Sequence, residues 1–534
     1  MSTPRKRPAR PVGVVSLVGT GSGDDTQLTV RARDVISAAD LVVVDAESVH
    51  PGVLGLIRSG AEVVAVDEAA TTALVSAARE GRRAVRLFPG DPFLWSSAAE
   101  VGAAVRKARQ RLEVVPGLPP AVGVPAFAGI PVGLPRTVVE VDPRVGLDGA
   151  AYATVPGTLV LRAPATAVSA AAQALVAGGR AASTPLAVIA FGATTRQRTG
   201  IATLGEPELA LESIGGLAAA GTVVAVIGDA VSQRARLSWW EDRSLFGWTV
   251  LVPRTRDQAG GVSDRLRALG ADPLEVPTIA VEAPRTPAPM ERAVRGLVGG
   301  RYAWVAFTSA NAVKAVREKI EEVGLDARAF AGVKVAAVGE QTAEALADFG
   351  IRADLTPQGS QSSEGLLVDW PEHDCDLDLL DRVLLPRADI ATETLAAGLK
   401  ARGWTIDDVT AYRTVRASPP PVAVREALRS GRVDAVLFTS SSTVRNLVAL
   451  VGQPHPATII VAIGPATAAA ARELGLRVDV LSEVASTDGL VDALVAFAKE
   501  RAAESTEPIG PPSRTAVGKK PAAVKAAPKA TRKK

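Results

Sequence analysis

The sequence predicts an α/β protein built from several lobes, and three observations carry that expectation. Short aliphatic runs such as LVVVD at 41–45 and AVRLF at 84–88 alternate with Ala-rich segments of helical period, the order that builds helix-covered parallel sheets. With 534 residues, 47% hydrophobic and 22% charged, the chain has apolar material for more than one core and too little charge for a disordered protein. Finally, the second half repeats itself. VLVPRTRDQAGGVSDRLRALGADP from Val250 returns as VLLPRADIATETLAAGLKARGWTI from Val383, and AWVAFTSANAVKAV from Ala303 returns as DAVLFTSSSTVRNL from Asp434. AAVGEQTAEALADFGIRAD from Ala336 returns as VAIGPATAAAARELGLRVD from Val461. Offsets of roughly 125 to 133 residues are far too long for a solenoid, so two related α/β lobes are expected.

Taken in order, residues 1–11 are basic and Pro-rich and are expected to form a disordered arm. A first α/β region occupies 12–237, with strand-like units VVSLV at 14–18, LVVVD, EVVAVD at 62–67, AVRLF, TLVLR at 158–162, LAVIAFG at 186–192 and TVVAVIG at 222–228. The texture changes at SWWEDRSLFGW (238–248), which holds three of the seven tryptophans and reads as a linker. The repeated region fills 249–500. From 501 to 534 the composition turns to Ala, Pro and Lys without hydrophobic period, and this basic tail is expected to be disordered.

Charge is partitioned. The net +3 conceals nine Lys/Arg against two Glu in the tail and four Lys/Arg in the first ten residues, leaving the body at −8. The basic isoelectric point therefore belongs to the ends and is poor evidence for a nucleic-acid-binding fold, although the tail leaves contact with nucleic acid or an acidic partner open. A single cysteine, Cys375, excludes an internal disulfide framework, and no Cys/His cluster has metal-site spacing. Prolines interrupt the longest uncharged stretches, so no transmembrane helix is expected, and no apolar segment follows the basic start as in a secretory signal. A cytoplasmic setting fits best.

Two loops in the first region have ligand-binding character. GTGSGDD (19–25) follows a strand and precedes a helix, a context in which glycines admit a ligand to the backbone and helix N–H groups face an anion. Its G-x-G-x-G spacing departs from the dinucleotide fingerprint. PGDPFLW (89–95) follows AVRLF, and EVVPGLPPAVGVPAFAGIPV (113–132) comes next. Together these blocks resemble the tetrapyrrole methylases, specifically uroporphyrinogen-III C-methyltransferase, over roughly 12–240. The resemblance implies a two-lobed α/β domain holding S-adenosylmethionine, with methyl transfer to uroporphyrinogen III and homodimerisation. It assigns cofactor contacts to Asp24, Gly90, Asp91, Ala163 and Gly192. Departures fall on these loops: Ser22 and Asp25 replace prolines, Pro89 replaces a glycine, and Pro119-Pro120 replace Thr-Ser. Gly133-Leu134-Pro135 stands for Thr-His-Arg, and Ala163 for methionine. Prolines delete N–H donors and the lost Thr-Ser removes two hydroxyls, so a degenerate domain with weak or absent methylation is expected.

The repeated region resembles uroporphyrinogen-III synthase over about 245–500, through VLVPR, FTSANAV, the V-G-x-x-T-A turn, AYRT, the second FTS block and IGPAT. Fusions of this synthase behind a methylase often carry a Trp-rich segment ending in Leu-Phe-Gly, as at 238–248. The family substrate, hydroxymethylbilane, bears eight carboxylates, so the site must offer local donors. Turns at 339–342 and 464–467 place helix N–H groups and the hydroxyls of Thr342 and Thr467 at strand ends. Ser309, Asn311, Ser440 and Ser441 occupy the other repeated turns, with Arg254 and Arg387 at the margins. Taken singly, each Ser or Thr reads as an N-cap; their paired occurrence favours a binding role. Tyr412 matches a tyrosine that the family places in its cleft and is the candidate proton donor to the departing hydroxyl. The resemblance implies no metal and no organic cofactor for the synthase.

The functional expectation is cyclisation of hydroxymethylbilane to uroporphyrinogen III, with a methylase-like N-terminal domain. Two rivals remain: a bifunctional enzyme that also methylates the product, and a regulatory protein that binds tetrapyrroles without turnover.

Overall fold

The computed structural model describes residues 13–46, 48–142, 144–216, 221–253, 256–376 and 378–504. The expected arm at 1–11 lies outside them, as does the tail from 505; the last helix, Thr487–Glu504, runs past the expected boundary at 500. The chain divides into two compact units. The first comprises Met1–Val250, Asp264–Pro273 and Leu494–Lys534; the second comprises Leu251–Ser263 and Leu274–Ala493.

In the first unit, strands β1 (Val14–Gly19), β2 (Leu41–Val44), β3 (Glu62–Ala65), β4 (Arg83–Phe88) and β5 (Arg111–Val115) form a sheet of order β3-β2-β4-β1-β5 with every pair parallel. Its strands are apolar on both faces because helices cover both. Val15, Leu17, Leu41 and Val43 pack under the helices Ala70–Arg79 and Ser96–Lys107. Val18, Val42, Val44, Val85 and Leu87 pack under Val30–Ser37, which begins where Thr29 accepts the Ala32 N–H. Neighbouring strands β1 and β4 thus send their following helices to opposite faces, and in such sheets that divergence opens the crevice where ligands bind.

The second sheet of this unit is mixed, of order β6-β7-β10-β8-β9, from β6 (Arg136–Glu140), β7 (Thr158–Pro164), β8 (Pro185–Ala190), β9 (Arg198–Thr203) and β10 (Thr222–Ile227). β10 runs antiparallel to both β7 and β8. The expected linker at 238–248 packs within this unit. Trp240 is buried edge-on against Phe127 at 4.6 Å, and its indole N–H donates to the Thr194 carbonyl. The Glu241 carboxylate accepts from Gln197, Thr199 and Arg234. These are polar ties a free connector would lack.

The remaining strands are β11 (Thr249–Val252), β12 (Asp272–Glu275), β13 (Ile279–Glu282), β14 (Trp304–Phe307), β15 (Lys334–Ala337), β16 (Arg382–Ala388), β17 (Thr405–Arg416), β18 (Ala435–Phe438), β19 (Ile459–Ala462) and β20 (Val480–Leu481). They form two sheets, β12-β11-β18-β19-β20 and β13-β17-β16-β14-β15. Each sheet takes one Val-Leu-x-Pro-Arg strand, one Phe-Thr-Ser strand and one strand leading into a Gly-x-x-Thr turn. The lateral order is the same in both: β11-β18-β19 and β16-β14-β15. The lobes therefore do not coincide with the two sequence repeats. The lobe from β13 to β17 is continuous, while the other draws its first strands from before it and the rest from after it. Both crossings run through one antiparallel ribbon, in which Ile279 pairs with Arg416 and Glu282 with Arg413.

Candidate active site

Strand β14 ends in a turn that delivers Ser309 to the start of the helix Ala310–Glu322. The Ser309 hydroxyl oxygen accepts the Ala312 N–H at 3.2 Å and lies 3.0 Å from the Tyr412 phenolic oxygen. Tyr412 sits on β17 after a register shift against β16, only 7% exposed, among Val313, Val409 and Ala411. An apolar wall thus holds the ring while its polar tip meets the helix cap. In the other lobe, Ser440 caps Ser441–Val451 through a reciprocal box with Thr443 and also bonds Ser442. Ser441 donates to the Ala466 carbonyl at 2.9 Å, tying that lobe's two turns together.

The Gly-x-x-Thr turns are the most symmetric feature. Gly339 opens the helix Glu340–Asp348 and Gly464 opens Pro465–Glu473, both without a cap from their own side chain. Thr342 and Thr467 stand at matching places on the first turns, each 4% exposed. Among the described residues neither hydroxyl has a hydrogen-bond partner. The turns differ in one respect: the Gln361 side-chain carbonyl accepts from Glu340 N–H at 3.2 Å, whereas nothing lies within 4 Å of a Cβ built on Gly464. No periodicity or motif around Gln361 signals this role. Asn311 is half-buried next to Ser309's cap and has no hydrogen bond among the described residues.

Arg387 departs from expectation. It is buried, and its guanidinium is already engaged by Asp408, by Glu393 at 2.6 Å and by the Thr392 carbonyl at 2.5 Å. The Asp408 hydrogen bond is the chief reason that its pKa is raised. The parallel register of β16 and β17, invisible in the sequence, brings these charges together. Arg387 is thus a cross-strand tie and not a free cation for substrate carboxylates. Arg254, its repeat counterpart, lies outside the described residues.

In the first unit, the loops after β1 and β4 meet in the crevice. Gly21 and Gly90 exchange backbone hydrogen bonds at 3.3 and 2.8 Å. Gly90 has φ +70, and a Cβ on Gly19 would lie 2.4 Å from the Gly90 carbonyl oxygen, so glycine is required at both. The residues expected to hold S-adenosylmethionine are already tied into local structure. Both Asp91 oxygens accept backbone N–H groups, of Phe93 and Gly117. One Asp24 oxygen accepts from Thr26 N–H and from the Thr26 hydroxyl. Pro120 Cδ stands 2.8 Å from the Cβ position of Gly90, and Val124 methyls stand 2.3 and 2.5 Å from that of Gly192. Ala163 lies in the core under the helix Ala165–Ala177 with Leu161 and Leu175. The face of the sheet that meets Ala121 and Val124 is lined instead by Val160, Ala187 and Val224. Strand alternation therefore points Ala163 away from that face. Ser22, at a position where the family pattern has proline, has a buried hydroxyl without a partner.

Among the described residues no helix is long and apolar enough to cross a membrane, and no group of three or more His, Cys, Asp or Glu could hold a metal ion.

Comparison with known proteins agrees with this division. Residues 261–492 match the family described as uroporphyrinogen-III synthase HemD, and residues 14–208 match the tetrapyrrole (corrin/porphyrin) methylases. The porphyrin biosynthesis protein HemD of Ruminiclostridium josui is 29% identical over 90% of this chain and 98% of its own length. The uroporphyrinogen-III synthase of Synechococcus elongatus is 30% identical, covering 48% of this chain and 98% of that protein. Siroheme synthase 1 of Yersinia pseudotuberculosis is 35% identical over 249 residues, 43% of this chain, which spans about half of that protein's length. The chain belongs to the uroporphyrinogen-III synthase family, with its synthase region fused behind a region of the tetrapyrrole methylase family.

Proposed function

We propose that the repeated region cyclises hydroxymethylbilane to uroporphyrinogen III, with inversion of the fourth ring, and that the methylase-like region is degenerate. The observation that carries the first part is the matched pair of Thr342 and Thr467, each buried and each with an unpartnered hydroxyl at the start of a helix. A substrate with eight carboxylates needs donors without a surplus of buried cations, and two helix N-termini with two hydroxyls supply them. Tyr412 serves as the acid. Its phenol gives a proton to the terminal hydroxyl, water leaves, and the methylene carbon becomes electrophilic. Binding then works by restraint, folding the linear chain so that the fourth ring attacks through its substituted position.

The loop departures from the family pattern, the local hydrogen bonds held by Asp24 and Asp91, and the burial of Ala163 in the core support the second part. A single assay addresses both: the full chain with hydroxymethylbilane, with and without S-adenosylmethionine, its products separated by isomer and mass. Isomer III without added methyl groups is expected. Methylated isomer III would make the chain bifunctional, and spontaneous isomer I alone would leave a tetrapyrrole-binding role.

A further inference from the structure

Ser309 and Ser440 occupy equivalent turns, yet only Ser309 meets a tyrosine. We infer that Ser309 is a positioning residue that fixes the direction in which Tyr412 presents its phenolic proton. This inference rests on the synthase reading and assigns Ser309 a role other than substrate contact.

A serine hydroxyl has one proton and two lone pairs. Ala312 N–H takes one lone pair at 3.2 Å. That N–H belongs to the first turn of a 13-residue helix, where the backbone presents partial positive charge. An oxygen that accepts from such a donor becomes a poorer acceptor and a better donor. Either hydroxyl can donate across the 3.0 Å contact; in the inferred arrangement Ser309 O–H donates to the Tyr412 oxygen. The phenolic proton, left without a role in that contact, is directed away from Ser309 and toward an incoming acceptor. Tyr412 is buried in one apolar cluster with Val313, Val409 and Ala411, so the serine sets the remaining freedom, rotation about the C–O bond.

The step balances. The phenolic proton passes to the terminal hydroxyl oxygen of the bilane, the carbon–oxygen bond breaks with its electron pair on oxygen, and water departs. The methylene carbon carries positive charge shared with its pyrrole, and Tyr412 is left as a phenolate that the Ser309 O–H stabilises. The fourth ring then supplies the electron pair for a new carbon–carbon bond at its substituted α-carbon, the bond from that carbon to its old methylene bridge breaks so that this methylene becomes the electrophile, and the ring's free α-carbon captures it. The proton lost from that free α-carbon as the pyrrole regains aromaticity restores the phenol. Among the described residues the other lobe has no equivalent, since Ser440 bonds Ser442 and Thr443 there and no tyrosine. The acid accordingly belongs to the lobe from β13 to β17.

The test uses the full chain labelled with 13C at tyrosine Cζ. Only three tyrosines are present, and Tyr412→Phe identifies the Tyr412 resonance. Ser309→Gly retains most of the capping preference while removing the hydroxyl, and Ser309→Thr restores a hydroxyl. The expected result is a Tyr412 resonance displaced in Ser309→Gly and returned in Ser309→Thr. In parallel, kcat should fall about tenfold in Ser309→Gly, the effect of one lost hydrogen bond to a charge-bearing group, with KM within about twofold and recovery in Ser309→Thr. A Tyr412 resonance unmoved by Ser309→Gly, or a rise in KM at constant kcat, would overturn the inference. The resonance is read without turnover, so failure of the chain to cyclise hydroxymethylbilane would count against the proposed function alone.

Discussion

Arg387 and Asp408 are joined across parallel strands by a two-pronged ion pair, in which Nε donates to one carboxylate oxygen at 2.7 Å and Nη2 to the other. Arg387 is 8% exposed at its side chain and Asp408 36%. Asp408→Ala would leave a buried guanidinium with only Glu393 and one carbonyl. It should cost about 3 kcal/mol, since removal of one partner leaves a charge poorly compensated. Replacing Arg387 by Met removes the charge with the need for it and should cost less. Urea unfolding of both variants tests that order. A smaller loss for Asp408→Ala would mean that Arg387 has solvent or another anion to turn to.

Thr342 and Thr467 make an unusual prediction for buried threonines. Exchange for valine normally costs stability because a hydroxyl bond is lost. Here neither hydroxyl has a protein partner among the described residues, so Thr342→Val and Thr467→Val should leave the unfolding midpoint unchanged or slightly higher. If the hydroxyls serve substrate, KM should rise about five- to tenfold in each variant, roughly one hydrogen bond apiece. Unchanged KM with loss of stability would return both residues to ordinary capping roles.

Tyr412→Phe keeps the ring among Val313, Val409 and Ala411 and removes only the phenolic oxygen. Stability should change by about 1 kcal/mol or less, while the rate of isomer III formation should fall by roughly a hundredfold or more, the usual worth of a positioned acid. Chromatographic separation of isomers I and III measures this directly, because spontaneous closure supplies the background. An isomer III rate within threefold of the parent would remove Tyr412 from the acid role.

Much of this arrangement was legible in the residues. The three recurring segments and their punctuation pointed to two related α/β lobes, and the paired Gly-x-x-Thr turns do stand at matching helix starts. What could not be read was which segment pairs with which. Val250 and Val383 begin the two repeats, but β11 joins β18 and β19 while β16 joins β14 and β15, an exchange fixed by long-range strand pairing. The same blindness hid Asp408 from Arg387 and Ser309 from Tyr412, 103 positions away. It also hid the orientation of Ala163, because TLVLRAP is apolar on both faces and alternation cannot say which face meets which helix.

Asp40 gives the first unit a defined response to acid. The Arg83 backbone N–H donates to it at 2.7 Å, and the Arg83 and Arg58 side chains add to the effect, holding its pKa below the ordinary 3.8 despite the opposing cost of burial. A carboxyl with a depressed folded-state pKa contributes stability that is present above its unfolded value and lost as pH falls through the folded one. Wild-type stability should therefore decline as pH drops below about 4, and Asp40→Asn should be less stable at neutral pH with a shallower decline in that window. Parallel slopes for the two proteins in urea midpoints between pH 6 and pH 3 would remove Asp40 from the acid response.

Ala163 and S-adenosylmethionine binding together separate a degenerate methylase-like region from a working one without relying on turnover. If the resemblance placed Ala163 correctly at a cofactor surface, restoring the family's methionine would add a side chain in open space. The structure instead buries Ala163 to 2% exposure between Leu161 and the helix Ala165–Ala177. Ala163→Met should thus overpack that core and destabilise the chain by about 1–3 kcal/mol. S-adenosylmethionine should leave the melting temperature of the parent chain unchanged and should give no saturable heat in isothermal titration. That expectation rests on Asp91 being engaged by Phe93 and Gly117 and on Ala163 facing the core. A neutral Ala163→Met variant together with micromolar binding would mean that these contacts open when the cofactor arrives, and the region would then be an active partner of the synthase.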